Sequence, residues 1–314
     1  MRLHFIFNPN SGRNRARPGM DRWIREFIAE RGLDAGLSVT EGPGHARELA
    51  RGAAESGVET VVAVGGDGTM NEVAHGLLGS ETALALVPCG SGNGLALHLG
   101  IPRAARAALE LAAGGRGRVA TLDSGEADGH PFFNAMGVGI DAEVSARFNR
   151  LSRRGLSSYV RAALACWRGR RPVTCTVESA GRRHAFEALL VAVANSDQYG
   201  NHARIAPGAR TDDGRLDLVV VRHSGWWRTG ALVPRLFLGT LDRSPLVWRA
   251  AGEEFVIERG EPGPLHTDGE TREAGRRIAV KVRRRSLRMI VPALCAALAP
   301  VEEPAPRGFA LLLP

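Results

Sequence analysis

Lysine is almost missing from this chain: of 41 basic residues, Lys281 is the sole lysine. That scarcity excludes whole classes of phosphate-handling machine. No GxxxxGK[ST] string is present, so the chain is not a P-loop NTPase, and no VAIK-like strand or HRD loop marks a protein kinase. Cysteine is sparse as well. Cys89, Cys166, Cys175 and Cys295 show no CxxC spacing, which argues against a zinc or redox centre and for a reduced compartment. No apolar run approaches the roughly 20 residues of a membrane span. The opening MRLHFIFNPNSG has only a short apolar run ending in turn residues, which reads as a strand and not as a signal peptide.

What is present is an ordinary folded composition, 44% hydrophobic and 24% charged over 314 residues, enough for two modest domains. The formal net charge of +8 favours phosphate-bearing or anionic partners. An arginine excess of this kind also follows from genomic base composition, so charge alone decides little. Nucleic-acid binding has no RNP, helix-turn-helix or zinc signature behind it. The nine histidines form no ligand spacing and read as ordinary polar or surface residues.

The decisive stretch is VVAVGGDGTMNEVAHG, residues 61–76. A β-branched run enters Gly65-Gly66-Asp67-Gly68-Thr69, and a helical pattern starts at Met70, with Asn71 and Glu72 in its first turn. Strand, glycine turn and helix start together offer free backbone N–H groups and a positive helix end to a phosphate. Asp67 among phosphates implies a divalent cation between the two anions. A carboxylate in a first helical turn is also favoured by the dipole, so Glu72 reads equally as a capping group or a nucleotide contact.

The string resembles the nucleotide site of the diacylglycerol kinase catalytic domain, a family that includes bacterial lipid kinases and sphingosine kinases. Further matches recur in order: Asn8-Pro9-Asn10-Ser11-Gly12, Pro88-Cys89-Gly90-Ser91-Gly92-Asn93, Leu122-Asp123-Ser124-Gly125, the run from Ala206 to Gly214, and Asp268-Gly269-Glu270. The resemblance implies an ATP- and Mg²⁺-dependent lipid kinase. Asn8 to Gly12, Thr40, Gly65 to Thr69, Asn71, Glu72 and Gly90 to Asn93 would then hold the nucleotide. Asp67 would hold the catalytic Mg²⁺ with help from Asp123, and Glu270 would accept the hydroxyl proton with Asp268 orienting it. Asp213 and the main-chain oxygens of Arg210 and Arg215 would hold a second, structural Mg²⁺, with Asp212 and Asp217 as near alternatives. Without the resemblance, DGE and DDG read as plain tight turns.

One departure stands out. Many family members carry Asn-Asp after the second glycine loop, whereas this chain has Asn93-Gly94. Sphingosine kinases resemble it more closely there, which weakens any claim that diacylglycerol is the substrate.

Alternating strand and helix signals up to residue 121 predict an α/β domain with a parallel, Rossmann-like sheet of the NAD kinase/diacylglycerol kinase kind. Residues 122–286 read as a mainly antiparallel β domain for the lipid, with the active site in the interdomain cleft and 287–314 returning to the first domain. Helices are expected over 101–113, 140–148, 157–167 and 226–238. Arginines crowd 147–171, as a solvated face or as an anionic-lipid contact. The expected partners are ATP and a lipid at the membrane surface, with a homodimer left open. The expected location is cytoplasmic, against the inner face of the membrane. The rival readings are an NAD kinase-like enzyme, which also uses GGDGT, and a catalytically inactive lipid-binding module.

Overall fold

A computed structural model describes residues 1–15, 19–113, 115, 117–149 and 172–298. The helix expected over 157–167, Cys166, the arginines from 150 to 171 and the segment 299–314 lie outside them.

Four apolar runs form a parallel sheet in the order β2-β1-β3-β4: β1 is Leu3–Phe7, β2 Ala35–Val39, β3 Thr60–Gly65 and β4 Ala83–Pro88. β3 and β4 are buried throughout, as strands covered on both faces must be. The helices supply the cover. α2 (Met20–Glu30) turns Met20, Ile24 and Phe27 inward. α3 (His45–Glu55) buries only alanines, Ala46, Ala50 and Ala53. That small face brings α3 close to α4 (Asp67–Leu77): a Cβ on Gly76 would lie 2.5 Å from the Arg47 carbonyl oxygen. Because the sheet order reverses direction between β1 and β3, the loops after these strands open at a topological switch point, where α/β sheets bind ligands.

The sheet does not end at β4. β17 (Arg277–Pro292) runs parallel to β4 through Met289 and pairs antiparallel with β5 (Gly117–Ala127) and β14 (Glu254–Arg259). Its register with β5 shifts between Arg283 and Leu287, where Arg285 has φ +49°. Beyond this break, Leu287, Met289, Ile290 and Val291 share the core of β1 to β4, while Ile278 and Val280 belong to a second core with Val191, Leu218 and Phe255. The second core is built from antiparallel pairs: β7 (Ala135–Gly139) with β9 (Arg182–Ala194), β9 with β8 (Val173–Ser179) and β12 (Leu216–Arg222), and β15 (Gly263–Thr267) with β16 (Glu270–Ala274). The expected fold class is therefore what the chain adopts.

Three local expectations differ. α4 starts at Asp67, not Met70, so Asp67, Gly68 and Thr69 open the helix and Gly66 is its extended N-cap. The helix expected over 101–113 starts only at Ala105, in α6 (Ala105–Ala113): Pro102 disfavours helical geometry at Ile101, and Ala104 O accepts the Ala108 N–H at 3.0 Å. The segment 226–238 is two short helices, α8 (Trp226–Gly230) and α9 (Leu232–Leu238), joined at Ala231.

Candidate active site

Parallel strands align their carboxyl ends, and here that alignment puts three loops in contact. The Asn8 N–H donates to Val64 O at 3.1 Å and the Cys89 N–H to Gly65 O at 2.6 Å, so the loops after β1 and β4 close on the one after β3. Ser11 Oγ accepts the Gly66 N–H at 3.2 Å, and Asn8 Nδ2 donates to Thr69 Oγ1 at 2.9 Å. The two glycine loops touch backbone to backbone. A Cβ on Gly90 would sit 2.6 Å from Gly66 Cα, so glycine at 90 is a packing requirement.

Asp67 joins the two loops. Its Oδ2 accepts the Asn93 N–H at 2.8 Å and its Oδ1 the Gly94 N–H at 2.7 Å. These are the first N–H groups of a short helix, α5 (Gly94–His98), which the sequence did not suggest. Burial pushes the Asp67 pKa up, and these two N–H donors pull against it. Asn93, at φ +52°, closes its own loop by accepting the Gly90 N–H and donating to the Gly90 carbonyl. Glu72 reaches the Ala46 N–H at 3.1 Å, so it caps α3 and not its own helix. Thr40 is buried after β2, with its N–H on Phe7 O at 2.9 Å.

The second half of the chain closes over these loops. A side chain at position 94 would meet this half at close range: a Cβ there would lie 3.3 Å from Asn134 Oδ1 and 3.4 Å from Gln198 O. The Asn134 N–H in turn donates to Asp268, whose carboxylate also accepts the N–H groups of Phe133 and Ala135, at 2.7 to 2.9 Å. Asp268 sits at φ +50° in the turn between β15 and β16, and burial raises its pKa to about 6. Glu270 follows at the exposed first position of β16, paired with Thr267. Asp67 and the DGE turn are thus linked through Gly94 and Asn134.

A buried network supports the turn from behind. Tyr199 Oη donates to Asp141 Oδ2 at 2.9 Å, and His266 Nε2 meets the same oxygen at 3.1 Å. With Nε2–H donating to that carboxylate, His266 Nδ1 is left to accept the Gly269 N–H, at 3.3 Å. A Cβ on Gly137 would collide with Asp141 Oδ2 at 1.9 Å. The histidine reading missed this network, as it missed the buried His98–Asp197 pair at 2.6 Å. Asn134 did leave a signal, as one amide side chain inside the otherwise apolar run Phe132 to Met136.

Asp123 is joined to the Phe133–Asn134 segment, because Asn195 Nδ2 donates to the carbonyl oxygens of both Asp123 and Phe133, at 2.9 and 3.0 Å. The Asp123 carboxylate oxygens accept the Gly214 and Arg285 N–H groups, each at 2.7 Å, and its own N–H donates to Thr211 O. It therefore anchors the 210–217 loop against the break in β17. Within that loop Asp212 pairs with Arg210, and Asp217 pairs with Arg249. The Asp213 pKa is raised by burial first and then by the charges of Asp217, Asp123 and Asp212. Among the described residues no three His, Cys, Asp or Glu side chains converge as a metal centre.

The comparisons with known proteins agree with this fold. Residues 2–126 match the diacylglycerol kinase catalytic domain, and residues 134–291 match the YegS C-terminal NAD kinase beta sandwich-like domain. The chain belongs to the diacylglycerol kinase catalytic domain family. A relative from Citrobacter koseri named "Probable lipid kinase YegS-like" is 28% identical over 284 residues, 87% of this chain and 91% of that protein. The diacylglycerol kinase of Bacillus subtilis is 28% identical over 230 residues, 71% of this chain and 74% of its own length. A crystal structure of a diacylglycerol kinase from Bacillus anthracis superposes with a TM-score of 0.69 at 21% identity, covering 92% of this chain and 96% of that one. An NAD kinase from Archaeoglobus fulgidus in complex with ATP gives 0.51 at 11% identity, covering 93% and 94%. The last two likenesses speak for the fold.

Proposed function

We propose that this protein is a lipid kinase that transfers the γ-phosphoryl group of ATP to a lipid hydroxyl of the diacylglycerol or sphingoid-base class. The observation that carries the reading is Asp67, a carboxylate in the first turn of α4 that fastens two interpenetrating glycine loops. A Cβ on Gly92 would lie 2.7 Å from Asp67 Oδ2, so the cradle is open only because that residue is glycine. The Asn8 to Gly12 loop, Gly65 to Thr69 and Gly90 to Asn93 would hold the triphosphate. The Asp67 carboxylate has four acceptor directions and spends two of them on the Asn93 and Gly94 N–H groups, which suits a Mg²⁺ that retains most of its waters. The cation would neutralise charge on the transferring phosphoryl group.

Glu270, exposed at the mouth of the hairpin, is the residue we assign to the lipid hydroxyl, with Asp268 holding the turn that presents it. Asp213, flanked by three carboxylates, is the side chain we assign to a second, structural Mg²⁺, with the main-chain oxygens of Arg210 and Arg215. Asp123 supports that loop. Such an enzyme would work on the cytoplasmic face of a membrane, and among the described residues no helix is long and apolar enough to cross one.

The test is transfer of label from [γ-³²P]ATP to a panel of diacylglycerol, ceramide, sphingosine and NAD with Mg²⁺ present. Label in one of the lipids is the expected result. Label in NAD alone, or in none of the four, would overturn the assignment.

A further inference from the structure

Exposed apolar side chains are unremarkable singly and informative when they gather. Among the described residues nine large hydrophobic side chains are strongly exposed, and five of them fall between 226 and 238: Trp226 53%, Trp227 73%, Val233 50%, Phe237 46% and Leu238 74%. We propose that α8 and α9 form the face by which this protein docks on an anionic lipid bilayer, a proposal that rests on the lipid kinase reading for its purpose but not for its evidence.

The helix pair is anchored from beneath. Leu232 is buried, Leu236 packs against the same cluster, and buried Thr229 Oγ1 donates back to the Ser224 and Gly225 carbonyls. The outward side chains are therefore held on a folded support. The Trp226 and Trp227 rings stack on each other, 3.4 Å between centroids, so one face of each is covered by the other and the pair projects as a single aromatic unit. Indole combines an apolar body with a polar N–H and settles at the level of lipid headgroups.

Charge selects the partner. From Leu218 to Leu241 the chain carries Arg222, Arg228 and Arg235 and no acidic residue. Arg222 and Arg228 are exposed, Arg228 within α8 itself and Arg222 at the end of β12 with its guanidinium 5.9 Å from the Phe186 ring centroid. An anionic bilayer offers both the apolar interior and the negative surface that this arrangement matches. A second copy of the chain would bring like charges together around the same patch.

The position also suits an enzyme whose acceptor is in the membrane. α9 packs beside the short hairpin of β10 (Gln198–Gly200) and β11 (Ala203–Arg204). Arg204 lies under Gly239 at the end of α9 and pairs with Asp197 at 3.5 Å, while the Asn201 N–H donates to Gly92 O at 3.1 Å. This hairpin links the apolar face to the second glycine loop, so docking here would bring the cleft toward the bilayer.

The experiment is sedimentation of the full chain with phosphatidylglycerol/phosphatidylcholine vesicles and with pure phosphatidylcholine vesicles. It compares wild type, Trp227→Ala/Leu238→Ser and Arg228→Glu, with sedimentation velocity measured alongside, and turnover on a monomeric short-chain form of whichever lipid of the panel accepts label. Wild type is expected to prefer the anionic vesicles, and each variant to lose about tenfold or more in partitioning, with unchanged turnover on the soluble acceptor. Wild-type binding retained by both variants would overturn the proposal. So would a wild-type dimer that Trp227→Ala/Leu238→Ser converts to monomer without loss of vesicle binding, because the face would then serve self-association. Patch-dependent vesicle binding with no label transferred to any lipid would sustain the docking face and sink the kinase reading instead.

Discussion

His266 Nε2 lies 3.1 Å from Asp141 Oδ2, a contact between residues 125 positions apart that ties the strand carrying the DGE turn to the start of α7 (Ile140–Asn149). The same oxygen holds Tyr199 of the hairpin that rests on the second glycine loop. Asp141 is thus a shared anchor for elements on both sides of the proposed site. Asp141→Asn must either turn an amide N–H₂ toward two donors or lose the acceptor for the Ala142 N–H. Because a small displacement of a reacting group is costly, kcat should fall about tenfold or more. The KM for ATP should change little, since the glycine loops keep their own bonds. A rise in that KM with unchanged kcat would show that the network serves nucleotide binding.

Asp67 has two tasks in this structure, so its substitutions should separate them. Asp67→Ala leaves the Asn93 and Gly94 N–H groups without their acceptor, at a cost of about 1–3 kcal/mol for each that stays unsatisfied. Asp67→Asn keeps one acceptor oxygen and should melt between Asp67→Ala and wild type. Both should lose phosphoryl transfer by about 100-fold or more, on the scale of a lost electrostatic contact to the transferring group. Turnover above a tenth of wild type for Asp67→Asn at saturating Mg²⁺ would remove Asp67 from the chemistry and leave it as a loop fastener.

Gly94 stands where many relatives of the resembled family carry aspartate, and the sequence suggests a site short of one carboxylate. The structure adds that Asn134 and the Gln198 carbonyl border this position, 3.3 and 3.4 Å from a Cβ built there. A carboxylate inserted there would crowd both and stand beside the charge of Asp67. Gly94→Asp should therefore lower the melting temperature and leave the Mg²⁺ requirement no weaker. Melting as high as wild type, with half-saturation at lower Mg²⁺, would show that the loop accommodates the extra ligand.

How much of this could be read from the chain depends on whether the signal was local. β1, β3 and β4 were legible because each is an apolar run ending in turn residues, and their parallel order follows from the alternation with helices. The start of α4 at Asp67 was not, since three glycines in GGDG argue against helix by propensity while the dipole and the loop contacts favour it. Glu72 was legible as a cap, but not as the cap of a neighbouring helix, because only packing brings Ala46 to it. The Tyr199–Asp141–His266 network joins three segments that are individually ordinary, and no spacing in the sequence announces it.

Asp213 gives a pH dependence with a definite sign. Its folded pKa is raised, so without a cation its ionised form costs stability above that pKa, and the cost is relieved as pH falls through it toward the ordinary carboxylate value. Bound Mg²⁺ should reverse this by stabilising the ionised form through mass action. The Mg²⁺-induced rise in melting temperature should then be largest near neutral pH and fade on acidification. Asp213→Asn should melt higher than wild type in EDTA and respond little to Mg²⁺. An Asp213→Asn protein that keeps the full wild-type response would place the cation elsewhere.

Glu270 and Asp268 are two residues apart, and their environments assign them different work. Glu270 is exposed and opens β16, so Glu270→Gln removes a base without disturbing a buried contact. Turnover should fall about 100-fold or more, the scale of general-base loss, with melting temperature and ATP affinity nearly unchanged. Asp268 is spent on three backbone N–H groups, so Asp268→Ala should lower the melting temperature and kcat together. Its folded pKa, raised to about 6, means that the unfolded chain holds its proton less tightly. On account of Asp268 alone, the cost of ionisation is relieved as pH falls through 6, while the three N–H groups lose an ionised acceptor over the same range. The kcat profile should carry an acid limb near pH 6 that Glu270→Gln retains, at its lower level, and Asp268→Asn abolishes. An acid limb that survives in Asp268→Asn and disappears in Glu270→Gln would exchange the two roles.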